Sequence, residues 1–152
     1  MPQIVYLDSP MESEPLYERL CPPVRQWFRD KFPDFTRPQK LAIPAIMDKQ
    51  HLLLCSPTGS GKTLTAFLTV IDQLVRLALD NKLEKKVHAI YISPIKALAN
   101  DIQRNLIGPL NEITENYLPD RAQEIRVGPV SYTHLRAHET EAELVCRLLL
   151  EK

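Results

Sequence analysis

Residues 52–63, Leu-Leu-Leu-Cys-Ser-Pro-Thr-Gly-Ser-Gly-Lys-Thr, constrain this chain more than any other stretch. Gly59 and Gly61 can take backbone angles forbidden to other residues, so successive N–H groups can turn inward around an anion. Lys62 adds a mobile positive charge, and the Thr63 hydroxyl can ligate Mg²⁺. The apolar run at 52–55 reads as a buried parallel strand, and Leu64, Phe67, Leu68, Ile71 and Leu74 read as one face of a following helix. Strand, glycine loop and helix together form a cradle for a triphosphate such as that of ATP, since a helix N-terminus also favours negative charge. Ser56 stands where the usual pattern opens with Gly. The plain alternative is an ordinary glycine-rich turn.

A length of 152 residues suits one domain with its own core. Charge is balanced at 19 basic against 19 acidic residues, so any nucleic-acid site must be a local patch rather than a global field. Three cysteines without paired spacing suit a reducing compartment, with Cys21 and Cys55 as small apolar fillers. The opening MPQIVYLDSP lacks a basic-then-apolar signal, and no apolar run approaches membrane-spanning length. The expectation is a cytoplasmic protein without membrane contact.

Along the chain, residues 1–15 read as an irregular lead-in. Pro22-Pro23 followed by Val24, Trp27, Phe28 and Phe32 predicts a helix with prolines in its first turn. Thr36 caps a next helix carrying Pro38, Leu41, Ile43, Ala45 and Ile46. A long helix runs from about Lys62 to Leu79, and residues 80–86 form a solvated loop. Val87–Ile92 is a second strand, a helical pattern runs from Lys96 to about Asn116 with a break at Gly108-Pro109, and Glu124–Val127 opens a third strand. Alternating strands and helices predict an α/β domain with a parallel sheet and flanking helices.

Upstream of the loop stands Phe35-Thr36-Arg37-Pro38-Gln39. The Gln39 amide offers both donors and an acceptor, which suits the edge of adenine. Equally, Thr36-x-x-Gln39 is a capping box in which Gln39 folds back onto its own backbone. Phe35 and Phe32 are either core residues or a shelf for the base. Downstream, Pro94, Lys96, Ala97 and Leu98 follow a strand where a helix begins, the ligand-facing edge of an α/β sheet. Lys96 at such a helix start can hold a nucleic-acid phosphate or can simply be solvated.

FTRPQ, SPTGSGKT and YISPIKALANDIQRNL, in that order, resemble the first RecA-like domain of a superfamily 2 helicase of the Lhr type, over roughly residues 16–128. The resemblance implies an incomplete RecA-like P-loop NTPase domain. It implies ATP and Mg²⁺ as cofactors, with Gln39 reading adenine and Phe35 and Leu64 beside the nucleotide. It implies Thr58, Gly59, Ser60, Gly61, Lys62 and Thr63 around the phosphates, Lys62 and Thr63 as the catalytic pair, and Thr63 on Mg²⁺. Pro94, Lys96 and Ala97 would touch the backbone of a nucleic-acid strand, DNA in preference to RNA, and the parent would act as a monomer. The sequence lacks the Asp-Glu-x-His box and second RecA-like domain of that family, so the expectation is an N-terminal fragment that binds ATP poorly and turns it over negligibly. Two rivals stand beside this reading: a DEAD-box-like RNA helicase, and a nucleotide-dependent binding or remodelling module that unwinds nothing. Against the first, the loop reads Thr-Gly-Ser-Gly rather than Ser-Gly-Thr-Gly, and Pro94–Leu98 reads Pro-Ile-Lys-Ala-Leu rather than Pro-Thr-Arg-Glu-Leu.

Residues 130–140, Val-Ser-Tyr-Thr-His-Leu-Arg-Ala-His-Glu-Thr, resemble one translated frame of a transposon-type sequencing-library adaptor, and Leu144–Lys152 resembles its far end. Glu143 departs from that frame. Residues 129–152 are therefore expected to be a nonnative tail, in which His134 and His138 imitate metal ligands at helical spacing. Outside residues 130–152 the chain has 16 basic and 15 acidic residues, a net charge of +1.

Overall fold

The computed structural model describes residues 4–93, 102–120, 122–130 and 146–149. The chain divides into two compact units, residues 1–72 and 73–152.

The first unit is helical. Helix α1 spans Ser13–Arg19, α2 Pro22–Lys31 and α3 Arg37–Met47, and α4, Lys62–Leu79, begins in this unit. Helix α2 forms as its sequence predicts: Pro22 and Pro23 occupy the first turn, where no N–H is needed, and Val24, Trp27 and Phe28 share one buried face. It stops at Phe32, whose N–H still reaches the Phe28 carbonyl (2.9 Å) before Pro33 forces extended backbone. The Cys21 N–H at its start donates to the Asp72 carboxylate of α4 (2.6 Å), which is how an acidic side chain only 3% exposed is accommodated.

An aromatic cluster fills the space between these helices. Phe28 stacks on Phe35 with centroids 4.3 Å apart, and Tyr17 lies 4.6 Å from Phe35. Arg29 sits over the outer face of Tyr17 at 4.4 Å and pairs with Glu14 (2.6 Å). Pro44 interrupts α3 from within. Proline has no N–H for the Lys40 carbonyl four residues back, and Met11 N–H takes that acceptor instead (3.1 Å). Together with Arg37 donating to the Asp8 carbonyl (3.2 Å), this pins residues 8–11 along α3. The expected irregular lead-in is thus anchored, and α1 begins inside it at Ser13.

Residues 51–57 correct one expectation. They are not in a sheet, and Leu53 is 87% exposed. A parallel strand is made by its neighbours' backbone groups, and among the described residues none pairs with 52–55.

In the second unit α4 buries Leu74, Val75 and Ala78 and ends at Leu79, after which Asn81 takes φ +56° while Lys82 N–H returns to the Leu77 carbonyl (2.8 Å). The loop expected at 80–86 runs on through residue 89, tied down where Leu83 N–H meets the Gln123 side chain (2.7 Å). Strand β1 is Ile90–Ser93, starting three residues later than expected. Gln103–Ile107 winds as a π-turn that runs directly into helix α5, Gly108–Asn116. The break expected at Gly108-Pro109 is therefore a widened turn: Pro109 lacks an N–H and its ring crowds the carbonyl four residues back, so Gly108 N–H bonds the Gln103 carbonyl five back.

Strand β2 is Gly128–Val130 and β3 Cys146–Leu149, and the sheet order is β1-β3-β2 with both pairings antiparallel. The expected parallel sheet is not seen among the described residues. Residues 124–127 are not strand, and the central strand comes from the segment that resembles adaptor sequence. A β3 that lies within hydrogen-bonding reach of both other strands satisfies them locally, whereas parallel neighbours need crossover connections.

Candidate nucleotide site

The glycine-rich loop lies in the first unit, between the extended run 51–57 and α4. Gly59 and Gly61 take φ +79° and +85°, the left-handed conformations that the pattern requires. A Cβ at Gly59 would meet nothing within 4 Å. At Gly61 it would stand 2.8 Å from Gln39 Nε2 and 3.3 Å from Gln39 Cδ, so a side chain there would require the end of Gln39 to shift. Helix α4 starts immediately after, with Thr65 N–H returning to the Gly61 carbonyl (2.9 Å), and Leu64, Phe67, Leu68 and Ile71 bury its inner face as expected.

The loop is braced from within. Ser60 Oγ donates to the Pro57 carbonyl (2.8 Å) and meets Ser56 Oγ, so the serine that replaces the usual glycine closes the loop through its side chain. Lys62 Nζ donates to the carbonyls of Ser56 and of Pro57, the latter at 2.6 Å. Its ammonium is therefore already inside the loop, held by two neutral acceptors. A phosphate oxygen is a stronger, charged acceptor, and Lys62 can turn to it without moving the backbone that carries it.

Helix α3 braces the loop from outside. The capping box is fully formed: Gln39 N–H donates to Thr36 Oγ1 (3.4 Å), and Thr36 N–H donates to Gln39 Oε1 (2.9 Å). Of the two alternatives for Gln39, the structure shows the backbone cap, with the residue 3% exposed. Its carboxamide nitrogen lies on Gly61, so the cap also makes it a wall of the loop. Thr36 has a second function that the sequence did not reveal. Its hydroxyl donates to the Ser60 carbonyl (2.9 Å), linking the start of α3 to the middle of the phosphate loop. The Thr-x-x-Gln spacing signalled the cap, but nothing local signalled a bond across 24 residues.

Phe35 requires a correction. It is 5% exposed, with its ring against Phe28 and Tyr17, so it is a core residue rather than a shelf for a base. Leu64 is likewise a buried residue of α4, and any contact with nucleotide falls to its backbone. Thr58 and Thr63 stand at the exposed rim and at the first turn of α4. Pro94, Lys96, Ala97 and Leu98 lie outside the described residues, as do His134 and His138. Among the described residues no cluster of His, Cys, Asp and Glu could hold a metal ion, and no helix is long and apolar enough to cross a membrane. Thr63, expected to ligate Mg²⁺, lies in the first turn of α4 directly after the loop.

The chain is 53% identical over 118 residues to "ATP-dependent helicase Lhr-Core" of Saccharolobus solfataricus, and 49% identical over 113 residues to that of Methanocaldococcus jannaschii. These alignments cover 76% and 74% of this chain but 13% of each relative, so the chain spans about an eighth of their length. It is 41% identical over 114 residues to "Lhr helicase/uracil glycosylase" of Escherichia coli, covering 71% of this chain and 7% of that one. No solved structure matches. The sequence model described as "DEAD/DEAH box helicase" matches residues 36–136, from the Thr36 cap through the phosphate loop, and carries with it a RecA-like α/β fold. With about two thirds of its length matched in this way, the chain belongs to the DEAD/DEAH box helicase family.

Proposed function

We propose that this chain is the nucleotide-binding N-terminal part of an ATP-dependent Lhr-type helicase. Residues 16–128 are then the beginning of its first RecA-like domain, and 129–152 a nonnative tail. The observation that carries the reading is the contact of Gln39 and Thr36 with Gly61 and Ser60, which joins the adenine-side motif to the phosphate loop. In the parent, ATP with Mg²⁺ supplies the triphosphate whose hydrolysis drives motion. Gly59 and Gly61 let main-chain N–H groups face that triphosphate, Lys62 neutralises part of its charge, and the Thr63 hydroxyl ligates the metal. Gln39, whose carboxamide lies against Gly61, is the residue that reads adenine. Pro94, Lys96 and Ala97 hold the backbone of the nucleic-acid strand, DNA in preference to RNA, so that movement need not depend on base sequence.

The names of the Lhr relatives support this reading over the alternative of a DEAD-box-like RNA helicase. A fungal "ATP-dependent rRNA helicase SPB4", from Gibberella zeae, shares 31% identity against about half for the archaeal Lhr-Core proteins. The parent is a cytoplasmic monomer on this account. The test is the source gene read across codon 129 from an adaptor-free library. A continuing frame with Gly-Asp-Thr nearby, then an Asp-Glu-x-His box and a second RecA-like domain, is the expected result. Recovery of Val130–Lys152 in that frame overturns the account of the tail, and a frame without a hydrolytic box overturns the helicase.

A further inference from the structure

The phosphate loop of this chain is tied together by hydroxyl groups that the glycine-rich pattern does not require. Ser60 is held at several atoms. Its hydroxyl donates to the Pro57 carbonyl (2.8 Å), its N–H donates to the same oxygen (3.4 Å), and its carbonyl accepts from the Thr36 hydroxyl (2.9 Å). Because the Ser60 hydroxyl proton is committed to Pro57, the Ser56 hydroxyl is the donor in the contact between the two serine side chains. The hydroxyl chain therefore runs from Ser56 to Ser60 to the Pro57 carbonyl. Ser56 stands where the usual pattern has glycine, and a glycine would have no group with which to reach Ser60.

We propose that Ser56 is a positioning residue for nucleotide, whose hydroxyl holds the loop in its phosphate-receiving shape before nucleotide arrives. The proposal rests on the reading of residues 56–63 as the nucleotide site. Gly59 and Gly61 flank Ser60 and take φ +79° and +85°. Glycine has the most backbone freedom to lose, so an untied loop would order these two residues only when the triphosphate binds, and affinity would fall accordingly. Fixing the residue between them moves that ordering into folding. Thr36 fixes Ser60 through its carbonyl, and Ser56 fixes it through its side chain. The same brace steadies Lys62, since the two carbonyls that receive its ammonium belong to Ser56 and Pro57.

The test uses the isotope-labelled full 152-residue chain. Binding is read from the amide shifts of Gly59–Thr63 as Mg²⁺ and ATP are raised, and loop mobility from amide ¹⁵N relaxation without nucleotide. Ser56→Ala should weaken binding roughly three- to tenfold, the range of one net hydrogen bond. It should also raise the ps–ns mobility of Gly59, Ser60 and Gly61, and do so only in the nucleotide-free chain. Ser56→Thr, which keeps the hydroxyl, should restore most of both. Ser60→Ala removes the acceptor of the same bond, so adding Ser56→Ala to it should change binding no further. Binding by Ser56→Ala as tight as that of the unaltered chain overturns the proposal. So does weaker binding with an unchanged nucleotide-free loop, which would give Ser56 a direct contact with nucleotide instead, and so does additivity of the two substitutions. An unaltered chain whose loop amides ignore Mg²⁺ and ATP overturns the nucleotide-site reading itself, and this proposal with it.

Discussion

Alanine at Gly61 separates the two roles that the structure gives this residue. At φ +85° an alanine pays for a left-handed backbone, about 1–2 kcal/mol. Its Cβ would also stand 2.8 Å from Gln39 Nε2, so the carboxamide must leave and the Thr36–Gln39 capping box must open, which costs a further ~1 kcal/mol. The total is about 2–3 kcal/mol. Gly59 supplies the internal control. It has φ +79° but open space around its Cβ, so Gly59→Ala should carry the backbone cost alone, about 1–2 kcal/mol.

Urea unfolding followed by the fluorescence of Trp27, the single tryptophan and a buried residue of α2, reads both substitutions in the unit that contains the loop. With a slope of about 2 kcal/mol per molar urea, Gly61→Ala should lower the midpoint by roughly 1 M or more, and Gly59→Ala by about half a molar less. In a Gln39→Ala background the extra cost at Gly61 should disappear, a coupling of about 1 kcal/mol between the two sites. Equal destabilisation by the two glycine substitutions, or strict additivity with Gln39→Ala, would refute the contact between α3 and the phosphate loop.

Thr36→Val removes both the cap acceptor and the bond to the Ser60 carbonyl, and should cost about 1–2 kcal/mol in the same assay while Thr36→Ser keeps most of that. Asp72→Leu leaves the buried Cys21 N–H without its acceptor and should cost about 1–3 kcal/mol, whereas Asp72→Asn, which retains an acceptor oxygen, should cost less. The hydrogen bond from Lys40, helped by Ser13 and the Phe35 N–H, holds the Asp34 carboxyl below the usual aspartate range. Its stabilising share is therefore present above the ordinary carboxylate pKa and is lost as pH falls through the lower folded value. Lys40→Met should raise the Asp34 midpoint part of the way back, read by NMR titration of the side-chain carboxyl, and an unmoved midpoint would show that Lys40 is not the cause. The full chain should show no nucleic-acid-stimulated ATPase activity above a Lys62→Ala control, because its sequence contains no Asp-Glu-x-His box; robust stimulation would contradict that.

The features legible in the sequence were those that neighbouring residues determine. Prolines in the first turn, a Thr-x-x-Gln cap and a clear apolar face specify α2, α3 and α4 within a few residues of chain, and their bounds follow closely. The same holds for Gly59 and Gly61, whose positive φ the loop pattern demands. Strands were harder because a strand exists only through its partners. The run 52–55 has the composition of a buried strand and no paired neighbour among the described residues, while β3 arises in a segment that carries no such signal. Helix α1, seven residues long in a stretch rich in Pro, Ser and Glu, is stabilised by burying Leu16 and Tyr17, a tertiary effect that periodicity over so few residues cannot reveal. The π-turn before Pro109 was half legible: the proline announced a disturbance, but whether the chain bends or widens depends on how α5 packs. Around the loop, the Thr36–Gln39 cap was legible and the bond from Thr36 to Ser60 was not, since it joins segments far apart in sequence.

The central claim is that main-chain amides around Gly59–Thr63 receive the phosphates of ATP. Amide chemical shifts of the isotope-labelled full chain, followed while Mg²⁺ and ATP are raised into the millimolar range, test it most directly. The account predicts that the largest shifts fall on Gly59, Ser60, Gly61, Lys62 and Thr63, and that Lys62→Ala weakens the response roughly tenfold or more, as expected for the loss of a charge-assisted bond. Shifts that leave these five amides unmoved, or that persist at full strength without Lys62, would contradict it.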